Sequence, residues 1–179
     1  GTAEQVVTYY IGDREIPLAN KTELEKKLPP IKKKFLKASD FAKADVKEIL
    51  SFYDLRKAKK MEVNQFANLA LMQSKDGKFA EQILPYNMQF SPLTTVAPLG
   101  KSHWLIGTNK YNSNVQIGRY DADFGGILSF ADGKLKYEKI PGLILKGAIK
   151  QMAPIMVNGK TKFLVIKNND SCQLIAPGE

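Results

Sequence analysis

The chain repeats itself, and the repeat limits what it can fold into. Ala97-Pro98 and Ala153-Pro154 lie 56 residues apart, as do Asp76-Gly77 and Asp132-Gly133, and as do Leu84-Pro85 and Ile140-Pro141. These three landmarks differ in type but keep one order and one spacing. Repeats of roughly 40–50 residues made of short strands are the sequence mark of propeller blades. A repeated sheet is first of all a scaffold, and its use is usually binding.

The pattern around the landmarks is strand after strand. Strands are expected over roughly 59–64, 67–73, 79–84, 92–98, 103–109, 126–131, 134–140, 149–157, 161–168 and 172–175. Asp76-Gly77, Asp132-Gly133 and Asn158-Gly159 supply the turns, because Gly, Asn and Asp tolerate the positive φ that tight hairpins need. The strands amount to two full or partial blades, with a third begun at Ile149. A closed propeller takes at least roughly four blades. The expected architecture is therefore mainly β: antiparallel, propeller-like blades forming a partial propeller, completed by the remaining blades of a larger parent protein or by a second copy.

The N-terminal third differs. Val6 to Leu18 reads as a hairpin turning at Gly12-Asp13. A small helical insert follows. Thr22 with Glu25 reads as a capping box, Pro30 as the first residue of a second helix, Ser39 as the cap of a short turn, and Asp45 with Glu48 as a further box. Leu28, Phe35, Phe41, Ile49 and Leu50 form the face that should pack. The organisation expected is a hairpin over 1–21, a helical insert over 22–58 and repeated blades over 59–179, all one structural unit.

Composition excludes several classes. No apolar run reaches the roughly 18 residues of a membrane span. Gly1-Thr2-Ala3-Glu4 is no signal peptide, and the missing Met suggests a processed or truncated chain, with any leader expected to have been removed. The single cysteine, Cys172, rules out an internal disulfide and a cysteine-rich metal site, and is expected as a small packed side chain. The net charge of +9 gathers between Lys21 and Lys60. It reads either as a solvated helical face or as a surface for nucleic acid or another anionic partner. Aromatics are not interleaved with these lysines as a single-strand platform requires, which disfavours nucleic acid.

Val115-Gln116-Ile117-Gly118-Arg119-Tyr120-Asp121-Ala122, then Gly125-Gly126-Ile127-Leu128, then Asp132-Gly133-Lys134-Leu135 resembles the C-terminal part of bacterial VCBS or FG-GAP repeat proteins. Leu145-Lys146-Gly147, the run Phe163 to Asp170, and the stretch from Tyr9-Tyr10 through Phe41-Ala42 continue the likeness over nearly the whole chain. The resemblance implies an integrin-alpha-like β-propeller in an exported protein, periplasmic or on the cell surface. It departs in one respect. Where such repeats carry calcium loops of alternating aspartates, Pro98–Ser102 and Val157–Lys160 hold a lysine each and no acid, which argues against Ca²⁺ there. No metal or cofactor is expected.

One connection is much longer than the rest. Lys110–Gly125 joins two strands and carries Tyr111, Asn112, Asn114, Gln116, Arg119, Tyr120, Asp121 and Asp123. Long polar-aromatic loops on a rigid scaffold are where binding residues concentrate. These eight are the candidate ligand-binding residues, for a glycan or protein ligand, with no catalytic set among them. Trp104 and Phe124 are expected in the sheet core, and Arg119 beside Asp121 as a loop-shaping ion pair. His103, the only histidine, neighbours Ser102, but adjacent strand residues face opposite ways and cannot form a nucleophile and base pair. A hydrolase would have to rest on Asp121 with Asp123, which could equally be loop-fixing hydrogen-bond acceptors.

Overall fold

The computed structural model describes residues 4–115 and 117–176, and the chain divides into two compact units, 1–63 and 64–179. In the first unit, β1 (Thr8–Ile11) and β2 (Arg14–Pro17) form an antiparallel hairpin with Ile11 opposite Arg14 across Gly12-Asp13. Four short helices follow: α1 (Lys21–Lys27), α2 (Pro30–Lys34), α3 (Ala38–Lys43) and α4 (Val46–Ile49). The first capping box is Asn20 with Glu23, not Thr22 with Glu25. The helix starts two residues earlier, and Glu25 instead pairs with Lys21 one turn back, at 2.7 Å. Pro30 opens α2 and Asp45 with Glu48 boxes α4 as expected, whereas α3 has no side-chain cap. Leu24, Leu28, Ile31, Phe35, Phe41, Ala44, Val46, Ile49 and Leu50 are buried together, with Phe35 and Phe41 edge to face at 5.6 Å. No element is long enough to be stable alone, so this shared core holds the helices.

The second unit is antiparallel sheet throughout. Its strands are β3 (Leu69–Gln73), β4 (Phe79–Ile83), β5 (Leu93–Pro98), β6 (His103–Thr108), β7 (Gly126–Ala131), β8 (Lys134–Glu138), β9 (Ile149–Val157), β10 (Lys160–Lys167) and β11 (Gln173–Ile175). They form a hairpin β3-β4, a four-stranded meander β5-β6-β7-β8 and a three-stranded sheet β9-β10-β11. The chain is thus mainly β, and its sheets are open rather than closed into a ring. Asp132-Gly133 and Asn158-Gly159 make two-residue turns with both residues at positive φ (51° and 74°, 52° and 73°), as right-twisted hairpins demand. Asp76-Gly77 lies in a longer turn over 74–78, with only Gly77 at positive φ. No strand forms over 59–64: Met61 and Val63 alternate correctly but are 79% and 71% exposed, and no described strand pairs with them.

Neighbouring Leu105 and Ile106 decide how the meander is covered. They point to opposite faces of β6, and both are buried. Leu105 joins Ala97, Leu145, Ile149, Met152, Phe163 and Val165, the cluster shared with the β9-β10-β11 sheet. Ile106 joins Leu84, Met88, Leu128 and Tyr137, with Ala70 of β3 and Trp104 packed against them. Asn68 fastens this second side: its Nδ2 donates to the carbonyls of Met88 (2.6 Å) and Ser91 (2.8 Å), and its Oδ1 accepts from the Leu93 N–H (3.2 Å). Cys172 is exposed just before β11, not packed.

Candidate functional site

The long connection leaves β6 at Thr108 and returns at Gly126. Its first residue turns it away from the sheet: Asn109 is held at φ 78°, a conformation Asn tolerates better than most residues. The amide of Asn109 is 2% exposed and fully used. Its Nδ2 donates to the Asp123 carbonyl at 2.6 Å, and its Oδ1 accepts from the Ser91 hydroxyl at 2.8 Å. One side chain therefore staples both ends of the excursion to the segment before β5.

Asp123 is the second staple. The sequence places it among the candidate ligand contacts, but the structure puts it in the interior, 1% exposed. Its carboxylate accepts from the Tyr137 hydroxyl (3.1 Å) and the Gly125 N–H (3.2 Å), and contacts the Lys139 ammonium. A buried carboxylate is tolerable only when so partnered. Burial pushes the Tyr137 phenol up to about 12 and pulls the Lys139 ammonium below the usual lysine range. Asp123 is thus a root of the loop and not available to a ligand. Asp121, the other candidate carboxylate, is exposed.

Above these roots a neck closes the loop. Lys110 and Tyr120 exchange both backbone hydrogen bonds, at 2.9 and 3.0 Å. Tyr111 and Arg119 are the next residues inward on each arm, and the Arg119 guanidinium sits 4.9 Å from the centre of the Tyr111 ring. The expected ion pair with Asp121 is not formed. Beyond it the chain makes a tight turn in which the N–H groups of Ile117 and Gly118 both donate to the Asn114 carbonyl (2.9 and 3.2 Å) and the Ser113 hydroxyl donates to the Gly118 carbonyl. Asn112, Asn114, Arg119 and Tyr120 are exposed, Tyr111 is half-buried, and Val115 is 97% exposed at the tip. Gln116 lies outside the described residues.

The structure thus brings Tyr111, Asn112, Asn114, Arg119 and Tyr120 onto one projection and separates Asp123 from them. Sequence reasoning missed Ser91, Asn109, Tyr137 and Lys139. The one readable signal was Asn109, an αL-tolerant residue at the point where a strand runs into a long connection. Phe124, expected in the core, is 46% exposed, while Trp104 is half-buried against the Ile106 cluster. At the opposite end of β6 a shallow groove of ≈ 400 Å³ runs between Pro98, His103, Pro154 and Phe163. His103 is exposed at its rim. Comparison with protein-family models, with curated proteins and with solved structures yields no match.

Proposed function

We propose that the chain is a non-catalytic binding module of propeller type, from an exported or surface-attached bacterial protein, and that the 110–125 excursion is its ligand-contacting surface. The observation that carries this reading is the division of the loop into a buried, fully hydrogen-bonded root and an exposed polar-aromatic crown. A surface loop of this length has no reason to be rooted so firmly unless its crown must be held in place. Preorganisation of that kind lowers the entropy cost of binding. A glycan or a protein is the ligand class that exposed Asn, Arg and Tyr suit.

The propeller reading draws on the four-stranded meander, sandwiched between a hairpin that precedes it and a sheet that follows it. It draws also on an uncovered face. By register, Leu71, Phe79 and Ile83 share one side of β3-β4 and are 58%, 63% and 61% exposed. Further blades, from a larger parent protein or a second copy, would bury them and pair the open edges. Replacing Tyr111, Arg119 and Tyr120 together by Ala should abolish retention on a glycan or protein array while leaving the melting curve nearly unchanged. Unaltered retention would remove the loop from the function.

A second reading has one observation behind it. Lys26, Lys27, Lys32, Lys33, Lys37, Lys43 and Lys47 are all exposed, and none of them forms an ion pair among the described residues. An anionic surface or nucleic acid could use them, with affinity falling steeply as salt rises. A filter-binding titration at low salt that detects nothing would dispose of it.

A further inference from the structure

We propose that the neck of the excursion reads a carboxylate, and that its ligand is an acidic glycan of the uronic-acid class. The inference rests on the reading of the excursion as the ligand surface and goes on to name the ligand chemistry. Three observations lead to it. Tyr111 would be the natural platform for a neutral sugar ring, but the Arg119 guanidinium lies over it at 4.9 Å. What the neck offers is therefore an oriented planar cation rather than a bare aromatic face. A guanidinium held over a ring can still turn N–H donors outward, and two of them grip a carboxylate with parallel hydrogen bonds.

The cation is also unspent. Among the described residues Arg119 forms no ion pair, and neither does Asp121 two positions on. An exposed arginine held over a ring, with an acid close in sequence that it does not engage, keeps its charge for something outside the chain. Finally, the loop backbone is tied into its own closure at the neck and at the tip. Lys110 and Tyr120 bond to each other, and Ile117 and Gly118 both bond to Asn114. An extended peptide recognised through its main chain finds only short stretches of the two arms to pair with here. A polyhydroxylated acid needs only side chains, with Arg119 for the carboxylate and the exposed amide of Asn112 within the same crown for hydroxyls.

The test is calorimetric titration of the full chain with oligogalacturonate, its fully methyl-esterified form and polyglutamate, at low and at physiological salt. Binding of the oligogalacturonate and loss of binding on esterification are expected. R119K should weaken it about 10- to 100-fold, since an ammonium cannot reproduce the bidentate grip, and R119Q should do at least as much. Y111F should bind as the parent does, whereas Y111L, which keeps the bulk but loses the ring face, should weaken binding about 2- to 5-fold. All four variants should melt with the parent. Equal binding of the methyl ester, parent-like binding by R119Q, or no binding of oligogalacturonate would overturn the proposal. Binding of polyglutamate in its place would assign the surface to acidic peptides and overturn it also. If oligogalacturonate fails but the Tyr111, Arg119 and Tyr120 triple variant still loses an array ligand, the binding module stands and only the carboxylate reading falls. If both fail, both fall.

Discussion

Removing the Asp123 carboxylate should loosen the excursion from its root, and the cost can be built from its partners. In D123A the Tyr137 hydroxyl, on a side chain only 5% exposed, loses its acceptor. An orphaned buried hydroxyl costs about 1–3 kcal/mol. The Gly125 N–H, bonded at 3.2 Å, loses its acceptor too, for about 1 kcal/mol more. Lys139 contributes little to the loss, because its side chain is 48% exposed and can turn to water. The total is about 3 kcal/mol. D123N keeps an oxygen for Tyr137 or Gly125 and should lose about half as much. The assay is urea unfolding followed by fluorescence of Trp104, the only tryptophan, which packs against the cluster containing Tyr137. In a double-mutant cycle with Y137F the coupling should exceed about 1 kcal/mol, because each change removes the same bond. A D123A loss below about 0.5 kcal/mol, or strictly additive effects in the cycle, would refute the picture of a buried root.

Three further outcomes are expected. G126A should cost about 2–3 kcal/mol in the same unfolding assay, because a Cβ there would lie 2.5 Å from the Glu138 carbonyl and 2.8 Å from the Tyr137 ring. N20A and D45A should each cost about 1 kcal/mol of stability by circular dichroism, while S39A should be silent, since α3 has no side-chain cap. Stability should decline as pH rises from 10.0 toward about 12, because unfolded tyrosine gives up its proton before buried Tyr137 does. The loss from this residue is about 1–2 kcal/mol after solvent screening, and urea midpoints of Y137F should lack that part of the slope.

What could be read in advance was local. Asp132-Gly133 and Asn158-Gly159 announce their hairpins because a two-residue turn at positive φ depends on the turn residues themselves. The packing face of the insert was legible for a similar reason: each short helix offers an apolar residue in or beside its last turn, and Leu28, Phe35, Phe41, Ile49 and Leu50 are all buried. The errors come where partners decide. Residues 59–64 have strand chemistry but no strand beside them, and Phe124 is aromatic but sits in a loop with no sheet face to enter. Thr22 and Glu25 fit the capping pattern as well as Asn20 and Glu23 do, and only where the chain leaves the hairpin decides between them. Asp123 reads from sequence as one of its loop neighbours because its three partners are contributed by Gly125, Tyr137 and Lys139, two of them a strand away.

The same fact explains how so short a β unit can carry a long excursion. Closing a loop costs only slowly more entropy as it lengthens, but ordering each of its residues costs about 1–2 kcal/mol. The crown contributes almost no apolar burial, with Val115 in water. Its order must be supplied from below. Asn109 and Asp123 do this by placing polar groups where leaving any one unpaired would be costly, so that the root has a single satisfied arrangement. The neck adds the Lys110–Tyr120 backbone pair and the Tyr111–Arg119 stack on top of that arrangement. Rigidity therefore falls off from root to tip. The groups poised to meet a partner are those nearest the neck, Tyr111 and Arg119, and not the apolar tip at Val115.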